Sequence, residues 1–190
     1  MGVDRDGRRA APELKFSSPA PPTVSADGRF RGYATFFGRE DLSGDVVEAG
    51  AFRRTLAERG AAGIKLLFQH DPHEPVGRWL SVAEDRRGLA VEGEITAETR
   101  RGREVTSLMR AGLLDGLSIG FRTVRSRKDR GGTLRRLLEV DLWEISIVTF
   151  PMLPEARLFA AKAAIPRPAF DEARLIALLG RCATTLRQTR

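Results

Sequence analysis

The stretch Leu134-Arg-Arg-Leu-Leu-Glu-Val-Asp-Leu142-Trp143-Glu144-Ile145-Ser146-Ile147-Val148 decides the fold class. Its second half is a strongly apolar strand. Strand alternation puts Trp143, Ile145 and Ile147 on one face and Glu144, Ser146 and Val148 on the other. A carboxylate at Glu144 then needs a partner or water, because burying it unpaired is costly. Upstream, Leu117 to Val124 is again strand-like, and the two segments are joined by a basic loop containing Gly131-Gly132.

Ile64 to Phe68 is a compact apolar strand that Asp71-Pro72 is expected to stop. Val76 to Ala83 and Leu89 to Ile95 are strands joined through Glu84-Asp-Arg-Arg-Gly88, a hairpin connection. Phe30 to Phe37 is aromatic-rich and β-like, and Ser43-Gly44-Asp45 reads as a loop. Two helices are interposed. Gly50 to Arg59 has Phe52 and Leu56 four apart, and Thr99 to Gly112 places Val105, Leu108 and Met109 on one face. The pattern is strand-rich without regular βα alternation. It predicts an α+β fold, an antiparallel β-barrel or sandwich rather than a doubly wound parallel sheet.

The boundaries follow from composition. Residues 1–28 read as a flexible N-terminal arm, because Ser17-Ser-Pro-Ala-Pro-Pro22 favours extended polyproline geometry. Residues 29–158 form the β-rich domain. Residues 159–190 read as a linker with Pro166 and Pro168, followed by an amphipathic helix at about 169–187 carrying Leu175, Ile176, Leu178, Leu179 and Leu186.

The 190 residues are 42% hydrophobic and 30% charged, the balance of a globular domain. No run of about 18 apolar residues exists, so no spanning helix is expected. The charged N-terminus lacks an apolar core behind it, so no export signal is expected. The single cysteine, Cys182, cannot form an internal disulfide. The net charge of +7 is concentrated. Arg122, Arg125, Arg127, Lys128, Arg130, Arg135 and Arg136 crowd residues 121–136 against Asp129 alone, and a second basic stretch lies in the tail from Lys162 onward. Such a loop and tail suit an anionic partner, an acidic protein surface or nucleic acid, or else are simply solvated.

Chemistry is suggested at three places. His70 emerges at the end of an apolar strand, held by the sheet and near neutral, as a general base would be. Ser118 lies between Leu117 and Ile119, with Gly116 and Gly120 outside them. The glycines remove side-chain obstruction, and backbone amides at Ile119 and Gly120 are candidates for an oxyanion hole. Glu144 could satisfy its carboxylate by orienting a histidine. Each signal is weak in isolation.

Their order is more specific. Gln69-His70-Asp-Pro…Pro75-Val-Gly77-Arg-Trp79, then Gly116-Leu-Ser118-Ile-Gly-Phe121, then Trp143-Glu144-Ile-Ser-Ile-Val148…Pro151 resembles the prohead (procapsid maturation) protease family of HK97-like tailed phages. Gly32-Tyr-Ala34 and Gly44-Asp-Val-Val47…Gly50-Ala-Phe52 add to the resemblance, which covers residues 30–158. It implies a herpesvirus-protease-like fold, an antiparallel β-barrel with surrounding helices. It also implies a serine protease with Ser118 as nucleophile, His70 as base and Glu144 as third member, and no cofactor or metal. The implied substrate is the scaffold-like segment of the major capsid protein, then the protease itself, within the assembling procapsid in the bacterial cytoplasm. Self-association, self-cleavage near both termini and no membrane partner belong to the same expectation, with nucleic acid incidental. Two rivals remain at this point. One is a metal-dependent hydrolase built on His70-Asp71-Pro-His73-Glu74, which lacks a distant completing cluster. The other is a non-enzymatic basic capsid scaffold or nucleic-acid-binding β-barrel.

Overall fold

The computed structural model describes residues 24–159 apart from Arg130 and Thr133. The expected arm up to Thr23, the C-terminal helix and Cys182 lie outside the described residues. The elements are β1 (Arg29–Phe36), β2 (Asp45–Val47), α1 (Arg53–Arg59), β3 (Lys65–Phe68), β4 (Asp71–Glu84), β5 (Gly88–Ile95), α2 (Arg100–Arg110), β6 (Gly116–Lys128), β7 (Arg135–Val148) and β8 (Leu158–Phe159).

The strands belong to one curled sheet, ordered β2-β7-β3-β4-β5-β1-β8, with β6 also paired to β7. The α+β class agrees with the reading of the sequence, but the sheet is mixed and not purely antiparallel. Both β2 and β3 run parallel to β7. β6 takes one edge of β7 along its whole length, from residue 135 to 148, and the connection through α1 brings the chain back in the direction of β2. β2 and β3 therefore lie end to end along the other edge of β7, against residues 135–137 and 144–147. The interval between them is filled by the chain around α1. Val140 N–H donates to the Ala51 carbonyl at 3.0 Å. Thr55, buried on α1, donates its hydroxyl to the Val140 carbonyl at 2.8 Å and accepts the Leu142 amide at 3.2 Å. The ladder groups of β7 thus stay satisfied where no strand is present.

At the other end of the sheet, residues 156–158 bond on both sides. Tyr33 N–H reaches the Arg157 carbonyl, while Leu117 N–H and Leu158 N–H bond the Ala156 and Asp115 carbonyls. The short segment therefore lies between β1 and the start of β6. Inside the curl, Phe30, Leu66, Val76, Leu89, Leu117, Leu137, Leu142, Ile145 and Ile147 are fully buried. Val105 and Met109 of α2 join this core.

Several local expectations change. Trp143 does not share the inner face with Ile145 and Ile147. The register passes from Gly120 opposite Glu144 to Phe121 opposite Leu142, so Trp143 is the extra residue of a β-bulge. It turns outward, 54% exposed, and donates its indole N–H to Asp141 at 2.8 Å. Leu108 is likewise half-exposed. Asp45 opens β2 instead of sitting in a loop. Asp71-Pro72 does not end the β3 region but opens β4, because the chain reverses one step earlier, at Gln69-His70. Thr99 caps α2 by accepting the Gly102 amide at 3.0 Å, so that helix lies close to its expected range.

Candidate active site

β6 and β7 face each other with Ser118 opposite Ser146 and Gly120 opposite Glu144. Directly opposed residues of a ladder point to the same face, and positions two apart repeat it. Ser118, Gly120, Glu144 and Ser146 therefore share one face, while Leu117, Ile119, Ile145 and Ile147 share the other, three of them fully buried. The glycine has a specific purpose here. A Cβ on Gly120 would stand 2.0 Å from Glu144 Oε1, so the carboxylate lies over the bare backbone at that rung.

His70 is brought to the same place by β3. That strand runs beside the end of β7, with Leu67 opposite Ser146 and Phe68 opposite Ile147. Phe68 also pairs with Asp71, leaving Gln69 and His70 as a two-residue turn with φ of 55° and 59°. Both are in the left-handed region, as a type I′ hairpin turn requires. For residues with a side chain this costs about 1–2 kcal/mol each. The turn is held from β7. Gln69 N–H bonds the Ile147 carbonyl at 3.0 Å, and its side-chain amide donates to Thr149 Oγ1 at 2.7 Å. His70 N–H donates to Ser146 Oγ at 3.1 Å.

The result is a contact between two of the expected residues. His70 Nδ1 lies 2.6 Å from Glu144 Oε1, with the ring 43% exposed and the carboxylate 13%. An ionised carboxylate only accepts, which assigns the hydrogen of a neutral ring to Nδ1 and leaves Nε2 its lone pair. The second carboxylate oxygen accepts the Ser146 hydroxyl at 2.6 Å. Ser118 is buried on the neighbouring strand, opposite Ser146, at a typical Cα separation of about 4.5–5.5 Å. Among the described residues no hydrogen bond joins Ser118 to His70. Ser146 and Gln69 were not singled out from the sequence. The available signal was Ser146's place two positions after Glu144 on the same strand face.

His73 is exposed on β4, its amide bonded to Asp71, so it stands apart from the His70–Glu144 contact. Among the described residues no group of three His, Cys, Asp or Glu is placed to hold a metal ion. No helix among them is long and apolar enough to cross a membrane. Part of the basic run after Phe121 is paired within the fold. Arg135 meets Asp45 at 2.5 Å, Arg136 meets Glu48 and Asp129 at 2.7 Å, and Arg122 meets Asp141 at 3.4 Å. Hydrogen bonds to Asp129 and Glu48 push the Arg136 guanidinium further above its already high ordinary pKa.

Comparison with known proteins follows the same line. The family model described as caudovirus prohead serine protease matches residues 15–172. The prohead protease of Enterobacteria phage HK97 is 34% identical over 152 residues, covering 79% of this chain and 65% of that protein. The prohead protease of Escherichia phage T5 is 28% identical over 135 residues, covering 70% and 63%. The chain thus spans slightly less than two thirds of the length of these relatives. Among solved structures, the capsid assembly protease of bacteriophage T4 overlays with a TM-score of 0.52 at 12% identity, covering 63% of this chain and 80% of that one. At that identity the likeness concerns the fold alone.

Proposed function

The chain belongs to the caudovirus prohead serine protease family, and from that premise we propose that it is a serine endopeptidase acting in capsid maturation, with Ser118, His70 and Glu144 as its catalytic residues. The observation that carries the assignment is the 2.6 Å contact between His70 Nδ1 and Glu144 Oε1, on the strand face that also holds Ser118. A proton held on Nδ1 leaves Nε2 as the base. His70 takes the Ser118 hydroxyl proton as Oγ attacks the scissile carbonyl, then returns it to the leaving amine. Glu144 steadies the imidazolium formed between these steps. Water then repeats the sequence on the acyl-enzyme and releases the acid.

Ile119 and Gly120 remain the proposed backbone donors to the oxyanion, and the ladder distinguishes them. Leu117 N–H faces away from β7, toward Ala156. By strand alternation the Ile119 amide faces the same outer edge, and the Gly120 amide faces β7. Ile119 is therefore the stronger candidate.

The substrate proposed is the scaffold-like N-terminal segment of the major capsid protein, followed by the protease itself, within the procapsid. The self-cleavage expected near both termini falls at or beyond the limits of the described residues. The finer reading of the fold, a herpesvirus-protease-like barrel, belongs to the same proposal. The purified chain should trim capsid protein in the presence of a chelator and stop after treatment with a serine-directed acylating agent. Loss of trimming on chelation would instead favour a metal-dependent hydrolase.

A further inference from the structure

Ser146 has no part in the steps just described, yet it makes two bonds that meet at the site. It is fully buried. Its hydroxyl donates to Glu144 Oε2 at 2.6 Å, and the same oxygen accepts His70 N–H at 3.1 Å. Both capacities of one hydroxyl are thus used, one on the acid and one on the backbone of the base. Its chain neighbours Ile145 and Ile147 are buried on the opposite face, while Ser146 shares its face with Glu144 and Ser118.

We propose that Ser146 is a positioning residue, which closes a ring of hydrogen bonds running from the His70 amide through Ser146 and Glu144 back to the His70 imidazole. This inference rests on the assignment of Ser118, His70 and Glu144 above. A glutamate side chain has three rotatable bonds, so one contact to a ring does not fix it. Holding Oε2 sets the plane of the carboxylate and leaves Oε1 aimed at Nδ1. Holding the His70 amide ties the left-handed turn to the same anchor, so the ring and its acid cannot drift independently. Ser146 is also the residue opposite Ser118, which registers the pair against the nucleophile's own strand. The Gln69–Thr149 hydrogen bond secures the turn from its other residue.

The test uses the full chain and an alkyl fluorophosphonate, which needs no knowledge of the natural cleavage site. Labelling occurs when Ser118 Oγ attacks phosphorus, fluoride leaves, and the hydroxyl proton passes to His70. The dependence of the rate on probe concentration separates binding, KI, from the chemical step, kinact. Ser118→Ala should take no label. Ser146→Ala should keep KI within about twofold while kinact falls roughly 100-fold, the usual effect of a misplacement near 1 Å. Ser146→Cys keeps a side chain of similar size with a weaker hydrogen bond, and its kinact should lie between the two. Should Ser146→Ala fail to fold, Ser146→Cys carries the comparison, with a drop of about tenfold expected. A wild-type kinact in the folded Ser146 variant, beside an unlabelled Ser118→Ala, would overturn this inference alone, even where the melting temperature has fallen. Labelling of Ser118→Ala at the wild-type rate would overturn the catalytic assignment and this inference with it.

Discussion

At Gly120 the space that a methyl group would occupy is taken by the Glu144 carboxylate, 2.0 Å from the ideal Cβ position. Gly120→Ala should therefore leave the strand intact and displace Glu144. The expected outcome is a melting temperature within a few degrees of wild type and a fall in proteolysis of about 100-fold, read by a peptide-cleavage assay beside a thermal melt. Glu144→Gln keeps the shape but loses the charge that steadies the imidazolium. It should lower kcat by roughly 10²–10⁴-fold with little change in KM. The sequence offered Ser118, His70 and Glu144 as a candidate set through the ordered resemblance to the prohead protease family, since strand alternation and flanking glycines are weak signals taken singly. It did not make Ser146 visible as their connector, since a serine in an apolar strand looks the same whether or not its hydroxyl has two partners. The left-handed turn at Gln69-His70 was also hidden, because neither residue type signals positive φ as Asn-Gly would.

At the level of elements, α2 offers a contrast between intrinsic and tertiary preference. In an isolated helix, alanine in place of Gly102 would be favourable by about 1 kcal/mol. Here a Cβ at Gly102 would stand 1.9 Å from the Thr96 carbonyl oxygen. Gly102→Ala should therefore destabilise, lowering the melting temperature by several degrees, at about 2–8 °C per kcal/mol for domains of this size. Equal or higher stability would mean that the Thr96–Thr99 entry to the helix can yield. Both described helices and the long strands were legible from periodicity. The departures share a cause in pairing between distant segments. The bulge that turns Trp143 outward exists only because β6 and β7 fall out of step after Gly120. The parallel placement of β2 and β3 depends on where α1 docks, with Thr55 completing the β7 edge. Neither is encoded in the local pattern of one strand.

At the scale of the whole fold, many charges of the described residues meet in ion pairs across elements. In the cationic run at 121–136, which suggested an anionic partner, Arg135 and Arg136 are held by Asp45, Glu48 and Asp129, while Arg122 and Arg125 reach Asp141 and Glu139 from largely exposed positions. Several carboxyls of the fold sit below their ordinary pKa. Asp141 is lowered first by the Trp143 indole and then by Arg59, Asp129 by Arg136, and Glu104 by Arg100. A depressed folded pKa contributes stability at neutral pH, and that contribution is lost as pH falls through the folded value. Thermal melts should accordingly show stability level near neutrality and declining below about pH 4. A melting temperature unchanged to pH 3 would contradict this.

The proposed cleavage of capsid protein by Ser118 can be measured by co-expressing the chain, as wild type and as Ser118→Ala, with the major capsid protein of its own particle, and reading the intact mass of both products. Wild type should give a shortened capsid protein, and Ser118→Ala a full-length capsid protein beside a folded, uncleaved chain. Capsid protein trimmed at the same position by Ser118→Ala would contradict it.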